Sequence, residues 1–193
     1  PNIGALGQGD LIQSLSTGKS VQGHVVVAAW SNFDDARKSA VVGKIRAAVM
    51  PRPKDGTHGV VIGNWHFVVP KNVPDERKKA VIAFSKWFLT AQAQKAYLEG
   101  GSIPVRSDVL TPDLAGKPEY RWVKPYLDSQ QYAKQVLGYA EGPAVEAVLG
   151  LRLNEALIGA ASSSTALNRA AEEIKTIFER SGRKTGMLPK LPE

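Results

Sequence analysis

Up to about residue 70 the apolar residues come mostly in short, β-branched runs; beyond residue 74 they recur every three or four positions. The first pattern predicts strands and the second helices. Asp10 to Leu15 is an early exception, a short helix with Leu11, Ile12 and Leu15 on one side and a stop near Gly18. HVVVAAW, residues 24–30, predicts a strand of buried type, and Arg46 to Met50 a weaker one. PRPKDGTHG, residues 51–59, predicts a loop. VVIGNWHFVVP, residues 60–70, reads as a strand that interrupts itself. Val60 to Ile62 and Phe67 to Val69 are strand formers, yet Gly63, Asn64, Trp65 and His66 stand between them.

The helical signal is strongest in PDERKKAVIAFSKWFLTAQAQKAYLEGG. Pro74 suits the first helical position, and Asp75 and Glu76 complement the positive end of the dipole. Val81, Phe84, Trp87 or Phe88, and Ala91 keep helical spacing, which assigns Trp87 to a core. Thr90 can open a second helix, and Gly100-Gly101 supplies the stop. Thr111 to Pro125 has three prolines and little periodicity, so it reads as irregular, with Trp122 at the surface. GPAVEAVLGLRLNEALIG is apolar nearly all round and predicts a buried helix. SSSTALNRAAEEIKTIFERSG is amphipathic: Ser164 or Thr165 caps it, Leu167, Ala171, Ile174 and Phe178 form the stripe, and Gly182 ends it. Few strands separated by helices imply an α/β fold, and a portion of one rather than a whole sheet.

Composition narrows the function classes. With 193 residues and 43% hydrophobic content the chain can bury a core. No apolar run approaches the roughly 20 residues that span a bilayer. Pro1 and the absence of a leader pattern in PNIGALGQGDL suggest a chain that starts inside a longer protein. Cysteine is absent, which removes disulfides, thiolate metal sites and cysteine nucleophiles. The formal charge of +7 admits a basic nucleic-acid or anionic-surface binding domain as the alternative function. The cations are dispersed, however, in short clusters near predicted helix ends, where they face solvent or the negative dipole end.

Catalytic patterns fail one by one. Gly18-Lys19-Ser20 looks like the end of a phosphate-binding loop, but Gln13 stands where that loop needs its first glycine. GALGQG has the wrong spacing for a dinucleotide turn. His24, His58 and His66 make no zinc motif, and no GxSxG is present. The expectation is therefore a protein that is not an enzyme, with no catalytic residue, metal or cofactor.

The aromatic residues point to binding. Trp30 ends a predicted strand and precedes Ser31-Asn32; Trp65 sits in the strand interruption beside Asn64. Strand ends in α/β proteins open onto the crevice where ligands bind. An indole offers a flat apolar face and neighbouring amides offer directed hydrogen bonds, a pairing that suits the C–H face and hydroxyl rim of a sugar. The same positions also suit core or rim tryptophans.

The order of segments resembles the extracellular solute-binding proteins of sugar ABC transporters, the maltose-binding-protein-like family. LSTGKSVQGHVVVAAW resembles that family's helix, Gly-Lys turn and strand ending in a ligand-facing tryptophan. VVIGNWHFVVP, the helix with Phe and Trp, the Gly-Gly turn and Pro-x-Arg are similar to a second stretch, and LNEALIGAASSSTALNRAAEEI to the closing helices. Asn64 departs from a commoner glycine. The resemblance implies a periplasmic-binding-protein-like two-lobe α/β fold, of which this chain holds the C-terminal half. Residues 1–69 and 130–193 would form the C-terminal lobe, and 70–129 would return to the N-terminal lobe, most of which is absent. Trp30 would stack on the sugar, Gly63, Asn64 and Trp65 would line the cleft at a hinge, and Arg106 would reach the cleft or its rim. For Arg106 an ion pair tying a helix end to a loop is the competing role. The implied function is capture of a sugar or sugar-like polyol by hinge closure and delivery to ABC permease subunits. The implied partners are that ligand, the permease and the missing N-terminal half, without nucleic acid. The implied location is periplasmic or extracellular, lipid-anchored in a Gram-positive organism.

Overall fold

The computed structural model describes residues 3–63, 65–135 and 138–192. It is mixed α/β, and its residues fall into two compact units, residues 8–135 and residues 1–7 with 136–193.

The larger unit begins with α1 (Gln8–Ser16). It ends as its sequence predicts: Gly18, at φ 73°, takes the left-handed turn that a side chain disfavours. The expected strand over residues 24–30 is not there. Val27–Ala29 is a 3-10 turn that runs into α2 (Trp30–Asp34). Spacing explains the difference. Trp30 and Phe33 are both buried, three residues apart, and the Trp30 indole N–H donates to Asp34 four residues on, at 3.0 Å. Only a helical turn aligns such positions; a strand would set Trp30 and Phe33 on opposite faces. Arg46 to Met50, expected to be a weaker strand, is assigned to no strand.

The interrupted strand is shorter than its composition predicts. β1 covers only Val60–Ile62 and pairs in parallel with β2 (Ala133–Gln135), with Val60 opposite Ala133 and Ile62 opposite Gln135. Phe67 to Val69 have strand formers' side chains but are assigned to no strand and are exposed. Composition supplies the propensity, but a ladder needs a neighbour.

The helices follow the sequence more closely. α3 (Asp75–Phe88) starts one residue after Pro74, which serves as its N-cap residue. In α4 (Ala91–Glu99) the Thr90 hydroxyl accepts from the Ala93 N–H, one of the otherwise orphaned donors of the first turn. Gly101, at φ 86°, completes the stop. A Cβ on Gly101 would also lie 3.3 Å from the Ser31 Cβ. Gly101→Ala therefore lowers stability by about 1–2 kcal/mol, the cost of a left-handed side chain, with crowding against α2 added. Urea unfolding of the pair checks this; equal midpoints contradict it.

Residues 111–125, expected to be irregular, contain α5 (Pro112–Ala115), a 3-10 turn at Pro118–Tyr120 and the start of α6 (Val123–Gln130). The prolines sit at the first or second position of the first two elements, where a missing N–H costs nothing. Trp122 is accordingly core, 3% exposed, and Trp87, expected in the core, is 59% exposed. The core of this unit joins Leu15, Trp30 and Phe33 to Leu98, Leu110, Trp122 and Val123. Gln94 is its buried polar clip. Its amide donates to the Phe88 carbonyl at 2.9 Å, and its oxygen accepts from the Val105 N–H at 2.8 Å.

The smaller unit is a helical hairpin of α7 (Gly142–Leu157) and α8 (Ser163–Arg180). Arg152 ties them, donating to Glu173 at 2.6 and 2.9 Å while pairing with Glu155 on its own helix. α7 was expected to be buried all round. Only Gly142 and Val145 are; Leu151, Leu153 and Leu157 are exposed, because α8 covers one side alone. The α8 cap is Ser162, whose hydroxyl accepts from the Thr165 N–H, rather than Ser164 or Thr165. Residues 183–191 run beside α8 and leave a groove of about 870 Å³ over its stripe, including Leu167, Ala171, Ile174 and Phe178. Asn168 holds that segment through both backbone groups of Leu191, at 2.9 and 3.0 Å.

Candidate functional site

The five residues singled out by sequence occupy contrasting settings. Trp30 is 8% exposed. Phe33 meets its ring edge-on, with centroids 6.1 Å apart, and the Arg121 guanidinium lies over the indole at 4.7 Å from the centroid. Asp34 binds both the indole and the guanidinium: its carboxylate accepts from the Trp30 indole at 3.0 Å and from two Arg121 nitrogens at 2.7 and 2.8 Å. Gly43 N–H donates to the same carboxylate at 3.2 Å. Arg121 also donates to the carbonyls of Ile45 and Pro118, both at 2.8 Å. One guanidinium thus ties together α2, the segment after it and the turn before α6. Partial burial alone would raise the Asp34 pKa. The Arg121 hydrogen bonds and charge, with the Gly43 and Trp30 N–H groups, outweigh that and hold it below its ordinary value.

Trp65 is the opposite case, with its whole side chain in solvent. Gly63 beside it is exposed, and a Cβ added there would meet no described atom within 4 Å. Asn64 lies outside the described residues. Arg106 forms a bidentate pair with Asp108, at 2.7 and 2.9 Å, and donates to the Leu89 carbonyl at 3.1 Å. The Leu89 bond joins the C-terminal end of α3 to the loop after α4, while the ion pair with Asp108 stays within that loop. Hydrogen bonding to Arg106, ahead of charge, lowers the Asp108 pKa, and the same bonds raise that of Arg106.

Sequence reading missed Asp34 and Arg121. The i, i+4 relation of Trp30 and Asp34 is a signal once the stretch is read as helix; the Arg121 partnership, 87 residues away, leaves none. It also missed an exposed aromatic layer. Phe67 meets Phe84 and Phe88 edge-on at 6.1 and 5.7 Å, Phe84 meets Trp87 at 5.6 Å, and Phe88 meets Tyr97 at 5.1 Å. Trp30, Gly63, Trp65 and Arg106 are not among the described residues that line the α8 groove. Among the described residues no group of three or more His, Asp or Glu could hold a metal, and no helix is long and apolar enough to cross a membrane.

The comparisons with known proteins define the class. Residues 4–121 match the family described as bacterial extracellular solute-binding protein, which covers more than half of the sequence. The chain belongs to that family, and its class is that of extracellular solute binders. Among solved structures it is similar to an ABC transporter solute-binding protein from Agrobacterium radiobacter K84 in complex with ribitol, at 22% identity and a TM-score of 0.70. That match takes in 90% of this chain but 44% of the other, so the chain spans less than half the length of the protein it resembles. It carries the periplasmic-binding-protein fold in part. No curated protein matches.

Proposed function

We propose that this chain is part of the substrate-binding component of an ABC importer, which captures a sugar or sugar-like polyol by hinge closure and hands it to permease subunits. The observation that carries the reading is the family match over residues 4–121. It is supported by the likeness in fold to a protein solved with ribitol. The protein works outside the cytoplasm, in the periplasm or at the cell surface on a lipid anchor, and catalyses no reaction.

In this reading residues 1–69 and 130–193 belong to the C-terminal lobe, residues 70–129 return to the N-terminal lobe, and the missing N-terminal half completes the cleft. The boundary at residue 70 runs inside the compact unit of residues 8–135. Asp34 and Arg121 then stand on opposite sides of that boundary and pair across it. Gly63, Asn64 and Trp65 stand at the crossing, where Trp65 has a free face to stack on a sugar ring. Trp30 and Arg106 belong to the site in this reading, Trp30 from beneath the Arg121 guanidinium and Arg106 from its pair with Asp108 in the same loop. Closure is favoured by the ligand's higher affinity for the closed state.

A thermal-shift screen of the family-length protein against pentitols, hexitols and common saccharides tests this. At a hundredfold excess over Kd a true ligand adds about 2.7 kcal/mol of stability. Trp65→Ala should weaken that ligand roughly tenfold, the worth of one aromatic face. A panel in which nothing raises the melting temperature contradicts the reading.

A further inference from the structure

The groove over α8 has an apolar floor and a basic rim. Leu167, Ala171, Ile174 and Phe178 recur at helical spacing along α8 and form the floor. Residues 183–191 form the facing wall, and they are held at their two ends. Arg183 lies over the Tyr139 ring, 4.5 Å from its centroid, and donates to Glu141 at 3.1 Å. At the other end Asn168 binds Leu191, and Lys190 pairs with Glu172 at 3.4 Å. Among the described residues no hydrogen bond holds the stretch 184–189 between these anchors. Leu167, Met187 and Leu188 accordingly keep exposed apolar surface around the groove. Contiguous apolar surface of this kind marks a binding site.

The chemistry of the lining selects the occupant. Its charged side chains among the described residues, Lys175, Arg183, Lys184 and Lys190, are all cations. Three of them pair with carboxylates outside the lining: Lys175 with Glu179, Arg183 with Glu141 and Lys190 with Glu172. Lys184 makes no ion pair among the described residues, so one positive charge at the rim is uncompensated. The lining amide, Asn168, spends both ends on Leu191 and offers nothing to a ring of hydroxyls. A sugar is a poor fit for such a floor, and an apolar body with one anionic end is a good one. The volume of about 870 Å³ is that of a small-molecule pocket.

We propose that this groove is a second binding site, for an amphipathic monoanion of the fatty-carboxylate type. Its chain lies along Leu167, Ala171, Ile174 and Phe178, and its carboxylate meets Lys184. A bilayer is the poorer occupant, because a groove recessed between α8 and residues 183–191 admits a single chain rather than a flat surface. The groove shares no described lining residue with Trp30, Gly63, Trp65 and Arg106, and the proposal stands apart from the sugar reading.

The test titrates sodium decanoate into the family-length protein by calorimetry, below micellar concentrations and without sugar. Decanoate should bind one-to-one. Decyltrimethylammonium, the same chain with a positive head, should bind roughly fivefold more weakly or worse. Lys184→Gln should weaken decanoate roughly threefold and narrow the gap between the two probes. Ala171→Phe fills the groove from an exposed helical position. It should weaken decanoate roughly tenfold or more, by displacing buried methylenes, with little change in the melting temperature of the free protein. Absence of saturable binding, equal binding of the two probes, or decanoate binding that Ala171→Phe leaves intact each overturns the proposal. So does sedimentation with phosphatidylglycerol vesicles that Ala171→Phe abolishes while free decanoate does not bind, since the groove would then serve a bilayer.

Discussion

Arg121→Met should lower the unfolding free energy by about 3 kcal/mol, the scale for removing one partner of a desolvated ion pair. The Arg121 and Asp34 side chains are largely withdrawn from water, at 12% and 22% exposure. Methionine matches much of the arginine stem but leaves the carboxylate facing the Trp30 indole and the Gly43 N–H with no cation. The carbonyls of Ile45 and Pro118 lose their donor as well. Urea unfolding, followed by Trp30 emission, measures both the stability and the loss of the guanidinium from the ring. The pH dependence has a definite sign. The Asp34 pKa in the folded chain lies below its ordinary value of 3.8. Its contribution is therefore fully present above pH about 4 and is lost as the pH falls through the folded value. In the Arg121→Met protein this acid-sensitive component should shrink. Equal acid profiles for the two proteins would show that the pair is not what lowers the pKa.

Gln94→Leu should cost about 2–3 kcal/mol, although the two side chains are similar in volume. Gln94 has no exposed surface, and both ends of its amide meet backbone: the Phe88 carbonyl and the Val105 N–H. Leucine removes two hydrogen bonds and strands their partners beside a dry core, where each unmatched group costs about 1–3 kcal/mol. It also frees the loop that carries Arg106, so exchange at the Val105 amide should rise along with the fall in urea midpoint. A cost below about 0.5 kcal/mol would mean that water replaces both partners.

Helices were legible in the sequence because their signals are local. Gly18, Thr90, Gly101 and Gly182 each mark a boundary that the structure keeps, through a cap or a positive φ. Strands were not, because a strand is defined by its neighbour. HVVVAAW has β propensity but turns helical where Trp30, Phe33 and Asp34 can share one side, and Phe67 to Val69 have strand formers' side chains but join no ladder. The tryptophans were assigned to the wrong environments for a related reason. Spacing shows that Trp87 lies on an apolar stripe, but not that something covers the stripe. Proline-rich surroundings suggested an outward Trp122, whereas those prolines start short helices that turn it inward.

The candidate site divides in the same way. The family resemblance could be read from ordered segments, and the match over residues 4–121 agrees with it. The environment of Trp30 could not, because the guanidinium over its ring comes from Arg121, which Asp34 holds from 87 residues away. Trp65 is the predicted aromatic whose faces remain open.

Isothermal titration of ribitol, then of other pentitols, hexitols and saccharides, into the family-length protein tests the central claim most directly. The account predicts saturable one-to-one binding of at least one of them, with a change in tryptophan emission that Trp65→Ala diminishes. A folded family-length protein that gives no heat with any polyol or saccharide would contradict it.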